Sequence, residues 1–372
     1  MKVTELRSML KKNSLVFFTY KKLTDSLYRS SMIDYMLTKQ VKSKEKIKKE
    51  VNLIKNYWKC DPMTYYRYRL YEKNLTDDEL LDYIPPYYFY NYYVPSIYAD
   101  AQVRKAASKI QMSDYLAEKK ISSPAAVAKV MNGKIHCDGS TVGYNSFIEK
   151  LRDSGFQKFF MKPDTGKGGK GIYRIEKIGR EFFINNEFLG YKLFGEICSN
   201  QNYIIQGGII QRDDMRAVYP GSVNTLRVIT QNFNGIPEIS VVAFRMGRNG
   251  TFVDNSASGG ISLKVDTETG RIDRLAIDVD NNKAFEKHPD TGFKFDGFVI
   301  NDWSTIKSSI LDFAAKASDF PDVGWDIAIQ EDKAIVIELN LNYGIDMQAV
   351  VGGLRRRLHI EPFAAPKKVK IA

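Results

Sequence analysis

Asp326 and Glu338 stand toward the C-terminal end of the chain with eleven residues between them, and Asn340 is two positions further on. The segments Trp325–Gln330 and Ala334–Asn340 are apolar and rich in β-branched residues, and Glu331-Asp332-Lys333 between them reads as a turn. With Gln330 paired to Ala334, Asp326 lies directly opposite Glu338. Strand alternation then places Asp326, Ala328, Glu338 and Asn340 on one face. Ile327, Ile329, Ile335, Ile337 and Leu339 take the other, the core face. Two carboxylates facing each other across a hairpin repel. A divalent cation between them removes the conflict. Mg²⁺ takes hard oxygen ligands, one or two carboxylates plus substrate phosphates, and Asn340 adds a carbonyl oxygen. Two plainer solutions stay open: a solvated face, or a lysine beside each acid.

The second group is glycine-rich. Gly166, Gly168, Gly169 and Gly171, with Lys167 and Lys170 between them, match G-x-G-x-x-G. A dinucleotide fingerprint requires a helix directly after the glycines, and the strand-like Ile172–Ile175 follows instead. A P-loop requires Lys and then Ser/Thr after the last glycine, where Ile172 stands. What fits is a lid between two antiparallel strands, whose backbone N–H groups and lysines close over nucleotide phosphates. Glycine admits both the positive φ and the close approach. A flexible hairpin turn is the alternative. A protein kinase is excluded, since neither H-R-D nor D-F-G occurs. The three histidines form no triad-like pattern with Ser or Cys, and His136 and His359 read as structural or exposed.

These groups must be carried by a mixed frame. Ala101–Lys119 reads as a helix and Trp303–Ala317 as an amphipathic one. Short β-runs alternate with turns at Phe159–Lys162, Gly171–Ile175, Tyr203–Ile205, Leu226–Thr230, Ile239–Phe244 and Gly260–Val265. The expected class is α/β in the α+β sense, with much antiparallel sheet. No internal repeat appears.

Composition sets the outer bounds. The 372 residues are 44% hydrophobic, enough for a sizeable core and against wholesale disorder. Three cysteines, odd in number and far apart, make no disulfide framework, which points to a reducing compartment. With no leader-like or membrane-spanning apolar run, a cytoplasmic protein is expected. The net charge of +11 is uneven: residues 1–60 hold 15 Lys/Arg against 5 Asp/Glu, and the rest hold 40 against 39. The excess therefore belongs to one helical arm, and no nucleic-acid partner is expected for the balanced remainder. Residues 57–98 carry 12 of the 22 tyrosines, broken by Pro85-Pro86 and Pro95. Clustered Tyr and Pro suit a packing surface with hydroxyls at its edge; a partner or lipid-headgroup surface and base stacking are the other uses.

The combination resembles the ATP-grasp superfamily, and more closely its sugar-transfer-associated branch. The matching residues are Phe160–Pro163 with Gly166–Gly171, Tyr203–Gln206, Asn224–Val228, Asp254-Asn255 with Gly259-Gly260, His288–Gly292, Gly324–Asp326 and Ile337–Asn340, spanning about 105–345. The resemblance implies an ATP-grasp fold whose antiparallel sheets clamp ATP. It also implies three regions: a helical, basic and Tyr-rich 1–100, a lid subdomain 101–205 and a catalytic subdomain 206–372. Lys162 resembles the lysine that reaches the nucleotide phosphates, and Lys109, about fifty residues upstream, the first phosphate-contacting lysine, with Lys105 as a rival. Gly166–Gly171 with Lys167 resembles the mobile lid. Gln206 and Gly207 fall on the strand that bonds adenine through its backbone, and Asp213 where a ribose-binding carboxylate is found. Arg227 resembles the arginine that stabilises the transferring phosphoryl group. Asp326, Glu338 and Asn340 resemble ligands of two Mg²⁺ ions. Arg245, Asn255 and His288 are substrate-side candidates, and Arg355–Arg357 contact an anionic sugar or form a basic helix face.

The implied chemistry is ATP-dependent ligation, in which a carboxylate becomes an acylphosphate and a nucleophile displaces phosphate. The setting is sugar or polysaccharide modification, with a carboxylated small molecule or glycan precursor as substrate. A kinase acting on a hydroxyl is the alternative, and a non-catalytic binding module built on Tyr57–Tyr98 is the second. The basic arm is expected to dock at an inner-membrane surface. Oligomeric state is not legible.

Overall fold

The computed structural model describes residues 26–38, 42–166 and 168–363. Lys167 and, in the basic arm, residues 1–25 and 39–41 lie outside them. The chain divides into two units.

The first unit gathers the described residues up to 99, the tripeptide 279–281 and residues from 342 onward. Its main helices are α1 (Ser26–Leu37) and α2 (Lys44–Trp58), the latter capped by the Ser43 hydroxyl, which accepts from the Lys46 amide. Ile47, Ile54 and Trp58 are buried along α2 at helical spacing, while Lys44, Lys46, Lys48 and Lys49 are exposed. Glu50 is buried and compensated: Lys42 pairs with it at 2.8 Å and the Tyr65 hydroxyl donates to it at 2.6 Å. Of the tyrosines between 57 and 98, Tyr65, Tyr68, Tyr71, Tyr83, Tyr87, Tyr88 and Tyr98 are buried. Their rings meet mostly edge-on, so the segment packs. Residues 342–363 return to this unit. Gln348 accepts from the Ile84 amide and donates to its carbonyl, and Arg356 binds Asp82 at 2.6 Å. Arg355 also faces Asp82 at 3.4 Å and Arg357 bonds the Val351 carbonyl, so the arginine triplet pins its own turn. The expected catalytic subdomain runs over 206–372, whereas residues from 342 onward fold with the first unit.

The second unit holds residues 100–278 and 282–341. The expected single helix is two, α3 (Asp100–Ala107) and α4 (Lys109–Glu118), interrupted by Ser108, whose hydroxyl caps α4 on the Gln111 amide. An antiparallel sheet follows in the order β3-β2-β1-β8-β4-β5-β6-β7. Its strands are β1 (Ala126–Met131), β2 (Lys134–Cys137), β3 (Ser140–Val142), β4 (Lys158–Pro163), β5 (Tyr173–Ile178), β6 (Glu181–Ile184), β7 (Glu187–Phe188) and β8 (Tyr203–Gly207). Helices α5 (Tyr144–Asp153) and α6 (Tyr191–Cys198) contribute Phe147, Leu151, Phe194 and Cys198 to the core behind it. The second sheet runs β13-β12-β11-β10-β9-β14-β15. Its strands are β9 (Thr225–Gln231), β10 (Glu238–Met246), β11 (Ile261–Val265), β12 (Ala276–Asp278), β13 (Lys283–Phe285), β14 (Asp322–Gln330) and β15 (Lys333–Asn340). Between the sheets in sequence lies the short helix α7 (Asp213–Val218). Helix α8 (Trp303–Lys316) buries Trp303, Ile306, Ile310 and Phe313, the stripe expected of it.

The β14–β15 hairpin departs from its expected register. Its turn is Glu331-Asp332 alone, with Glu331 at φ +52°, and Gln330 pairs with Lys333. A bulge at Ile337 then restores the pairing of Asp326 with Glu338. Beyond the bulge the strand faces differently. Ala334, Val336 and Leu339 are buried, whereas Ile335 and Ile337 are only half-buried.

Candidate functional site

The candidate acids and the arginine stand in a row across the second sheet. Glu338 on β15, Asp326 on β14, Arg227 on β9 and Ala243 on β10 are successive cross-strand partners. Opposed residues share a face, so the acid pair and the arginine necessarily meet. Arg227 grips Asp326 with Nε on Oδ1 at 2.5 Å and a terminal nitrogen on Oδ2 at 3.1 Å. Arg245, two residues past Ala243 on β10, adds a bond to Oδ1 at 2.9 Å. Lys109 Nζ stands 3.7 Å from Glu338. Side-chain cations thus relieve the repulsion between the two acids. Burial works to raise the Asp326 pKa, but the two guanidinium groups hold it below the usual carboxylate range.

Above this row lies a cleft of about 1070 Å³, its open mouth included, within the second unit and in the size range of small-molecule sites. Of the sequence-derived candidates, Lys109, Lys162, Gly166, Gly168, Gly169, Gln206, Gly207, Arg245, Asn255, Asp326 and Glu338 line it. Lys162, on β4, is pushed down to about 8, chiefly by burial and further by Lys109, with Glu338 and Asp326 opposing. An ammonium held this uncomfortably favours an anionic partner. Lys109 opens α4 and bonds the Gly166 carbonyl at 3.1 Å. Lys105 instead lies 5.9 Å over the Tyr115 ring and does not line the cleft.

The lid joins β4 to β5, an antiparallel pair in which Met161 faces Tyr173. Gly168, Gly169 and Gly171 all have φ above +70°. At Gly169 a Cβ would in addition sit 3.2 Å from the Val253 side chain, so the lid tip rests on that residue. Gly171 stays outside the lining, although Lys170 and Ile172 beside it contribute.

Several candidates fall elsewhere. Asp213 sits in the first turn of α7, largely exposed and bonded to Arg216 at 2.7 Å, because the chain leaves β8 at Gly207 and passes away from the cleft. His288 is fully buried and stacks on Tyr219. Its Nδ1 accepts from the Asp290 amide, leaving Nε2–H to donate to the Gly247 carbonyl at 2.8 Å. Burial lowers its pKa, so this is a neutral structural pin and not a substrate contact. Arg227 reaches the cleft only through Asp326. The Gly207 and Gly208 amides are spent on the Ala125 and Lys158 carbonyls, so the next backbone donor among the described residues is Ile209, which lines the cleft. Asn340 lies one step beyond the lining on the face of Glu338, and its buried Nδ2 has no hydrogen-bond partner.

Asp326, Glu338 and that orphan amide bear on cation binding. An amide's O and N are interchangeable by a flip, which would turn a carbonyl oxygen into the unpaired position. Two carboxylates and an amide oxygen are hard donors, and they leave most of an octahedron to phosphates and water. Among the described residues no group of three or more His, Cys, Asp or Glu gathers to form an all-protein cage. The residues present therefore fit Mg²⁺ shared with a nucleotide.

Three positions escaped the sequence reading. Asp164, just after β4, receives the Ser108 hydroxyl at 2.7 Å and the Ile110 amide at 3.0 Å, while its carbonyl receives the Lys109 amide at 2.9 Å. It thereby ties the helix carrying Lys109 to the strand carrying Lys162. Ile337 was placed in the core, but the bulge turns it into the cleft. Asp254, which no strand alternation marks, lines the cleft and accepts from the Thr225 hydroxyl.

The family described as sugar-transfer associated ATP-grasp matches residues 88–361. Among solved structures, the chain is similar to a D-cycloserine synthetase, at 12% identity and TM-score 0.41, with 71% of each chain covered. It is also similar to D-alanine–D-alanine ligase from Helicobacter pylori (11%, TM-score 0.38, 71% of this chain and 60% of that one). A biotin carboxylase from Campylobacter jejuni gives 9% and TM-score 0.42, over 71% of this chain and 48% of that one. The chain thus spans about three fifths and one half, respectively, of the last two. No curated relative matches it. The family match covers well over half of the sequence and takes in the lid, the two lysines and the acid–arginine row: the chain belongs to the sugar-transfer associated ATP-grasp family.

Proposed function

We propose that this protein is an ATP- and Mg²⁺-dependent carboxylate ligase, and that its acid is a carboxylated sugar or glycan precursor. The observation that carries the reading is the convergence of Lys109, Lys162, the glycine lid, Arg245 and the Asp326–Glu338 pair in one cleft. Such a set neutralises and orients phosphates and includes no nucleophile of its own. The sugar rests on the family's description alone.

The base would lie against Phe160, Ile172 and Ile209, with the Ile209 amide as its backbone donor. Lys109 and Lys162 hold the phosphates, and the lid lays its amides over them and excludes water. Asp326, Glu338 and Asn340 would hold Mg²⁺, which when bound neutralises phosphate charge. Arg245 orients the acid and the transferring phosphoryl group, and Arg227 fixes the Asp326 carboxylate from behind. One carboxylate oxygen of the substrate attacks the γ-phosphorus, and the bond to the bridging oxygen breaks with its electron pair leaving on ADP. The acylphosphate so formed is attacked at its acyl carbon by an amine. The carbon–oxygen bond breaks, phosphate departs, and the nitrogen loses a proton.

Incubation with ATP, Mg²⁺, a panel of uronic and other sugar acids and hydroxylamine tests this. A ligase yields hydroxamate with at least one acid. ADP formation without hydroxamate, on hydroxyl-bearing sugars, would identify a kinase instead. For the arm we propose peripheral docking at an anionic surface through the exposed lysines of α2, together with the exposed Met36 and Leu37 of α1. Deleting residues 1–55 should then abolish co-sedimentation with anionic vesicles.

A further inference from the structure

The cleft holds three carboxylates, and they are not equivalent. Asp326 is covered by two arginines, and Glu338 faces Lys109. Asp254 is set apart from that row, on the loop from β10 to β11. Thr225 and Arg245 are cross-strand partners at the edge of the loop. The Thr225 hydroxyl donates to one oxygen of Asp254, and the other is 3.6 Å from the Arg245 terminal nitrogen, beyond hydrogen-bond reach. Burial, with repulsion from Asp326, raises the pKa of Asp254 against the pull of Arg245, the Thr225 hydroxyl and its own backbone N–H, opposite to the shift at Asp326. Of the two acids flanking Arg245, Asp254 is the less fully compensated, with one hydroxyl donor and a long ion pair where Asp326 has two guanidinium groups in hydrogen-bond contact.

The carboxylate is also held rigidly. Arg248 ties its loop to Asp278 and to the Gly259 carbonyl, and His288 holds Gly247. The turn closes where the Gly260 amide bonds the Asn255 carbonyl, and a Cβ at Gly260 would lie 2.5 Å from the Asp254 carbonyl oxygen. Val253 supports the lid tip at Gly169. The acid therefore sits beneath the lid, on the side of Arg245 away from Glu338. An anionic first substrate belongs with the lysines and arginines, whereas a fixed carboxylate suits an ammonium or amine.

Resting on the ligase reading, we propose that Asp254 is the recognition group for the second substrate, a primary amine or ammonium, and selects it over thiol and alcohol nucleophiles. Asp254 and Thr225 hold the nitrogen beside the acyl carbon, where the ammonium gives up one proton to solvent before its freed lone pair attacks and phosphate leaves, and Arg245 separates it from the metal-side acids.

Hydroxylamine, neutral at pH 7.5, provides the discriminating comparison. In Asp254→Asn, hydroxamate formation should stay within about 3-fold of wild type. KM for ammonium or ethylamine should rise about 10–100-fold, the range expected when one charge-assisted bond is lost. Asp254→Glu, which keeps the charge, should recover part of that loss. Equal loss of hydroxamate and amide in Asp254→Asn would overturn the assignment, because it would mean that Asp254 only positions Arg245. An unchanged KM would overturn it as well. Wild-type protein that traps no hydroxamate with any acid would sink the ligase reading, and this inference with it. Thermal shift gives an arm free of the acid substrate: ethylammonium chloride should raise the wild-type melting temperature above a tetramethylammonium chloride control and should not do so in Asp254→Asn. No difference between the two salts in wild type would contradict the proposal.

Discussion

Glu338 and Lys162 show how single side chains in this cleft trade stability against binding. Glu338 faces Asp326 across the hairpin and its ion pair with Lys109 is long, at 3.7 Å, so its charge serves a cation better than it serves the fold. Glu338→Gln should lower ATP turnover by at least ~100-fold while the melting temperature holds or rises, as steady-state ADP release and calorimetry would report. Lys162 makes the same trade with the opposite charge. Its folded pKa, about 8, lies below the unfolded value near 10.4, so the unfolded chain binds the extra proton between those values. The penalty of the buried ammonium is complete below pH 8 and is relieved as pH rises toward 10.4. Lys162→Met should therefore abolish ATP binding yet raise the melting temperature at pH 7 by about 2–4 °C. In the wild type, ATP affinity should fall as pH rises past about 8, and titration calorimetry across pH 7–9.5 would show it.

Elements bring these residues together by two devices, a latch and a lid. Asp164 accepts from both Ser108 and Ile110 at the head of α4. Asp164→Ala should destabilise the protein by about 1–2 kcal/mol, as the loss of a helix cap does, and should raise KM for ATP by letting Lys109 drift. An unchanged KM would show that the latch is purely structural. Gly169→Ala forces a side chain into a left-handed conformation, worth about 1–2 kcal/mol, and against Val253. Lid closure and kcat/KM for ATP should fall several-fold with little change in global unfolding.

These elements were unequally legible in the sequence. The Asp326–Glu338 pairing follows from local alternation, and the strand–glycine–strand order of the lid from Ile172–Ile175. The bulge at Ile337 did not, because a two-residue turn plus a bulge and a three-residue turn give the same opposition of Asp326 and Glu338. Nor did Asp164, whose partners lie more than fifty residues away, or Asp254, whose loop has no periodicity to mark a face.

At the scale of the molecule, the excess positive charge lies mainly in residues 1–60, while the clustered tyrosines belong to the first unit, where rings pack and Lys42 satisfies a buried Glu50. The return of residues 342–363 to that unit depends on Gln348 and Asp82, single polar contacts that leave no trace in composition. Among the described residues no helix is long and apolar enough to cross a membrane. The cleft is complete within the second unit, so the central claim concerns that unit: its cleft activates a carboxylate with ATP. An acid identified by hydroxamate trapping, labelled with ¹⁸O in its carboxyl group and turned over with ATP and an amine, tests this most directly. The account predicts one ¹⁸O in each phosphate released, carried there by the acylphosphate. Unlabelled phosphate, with the label retained in the acid, would contradict it.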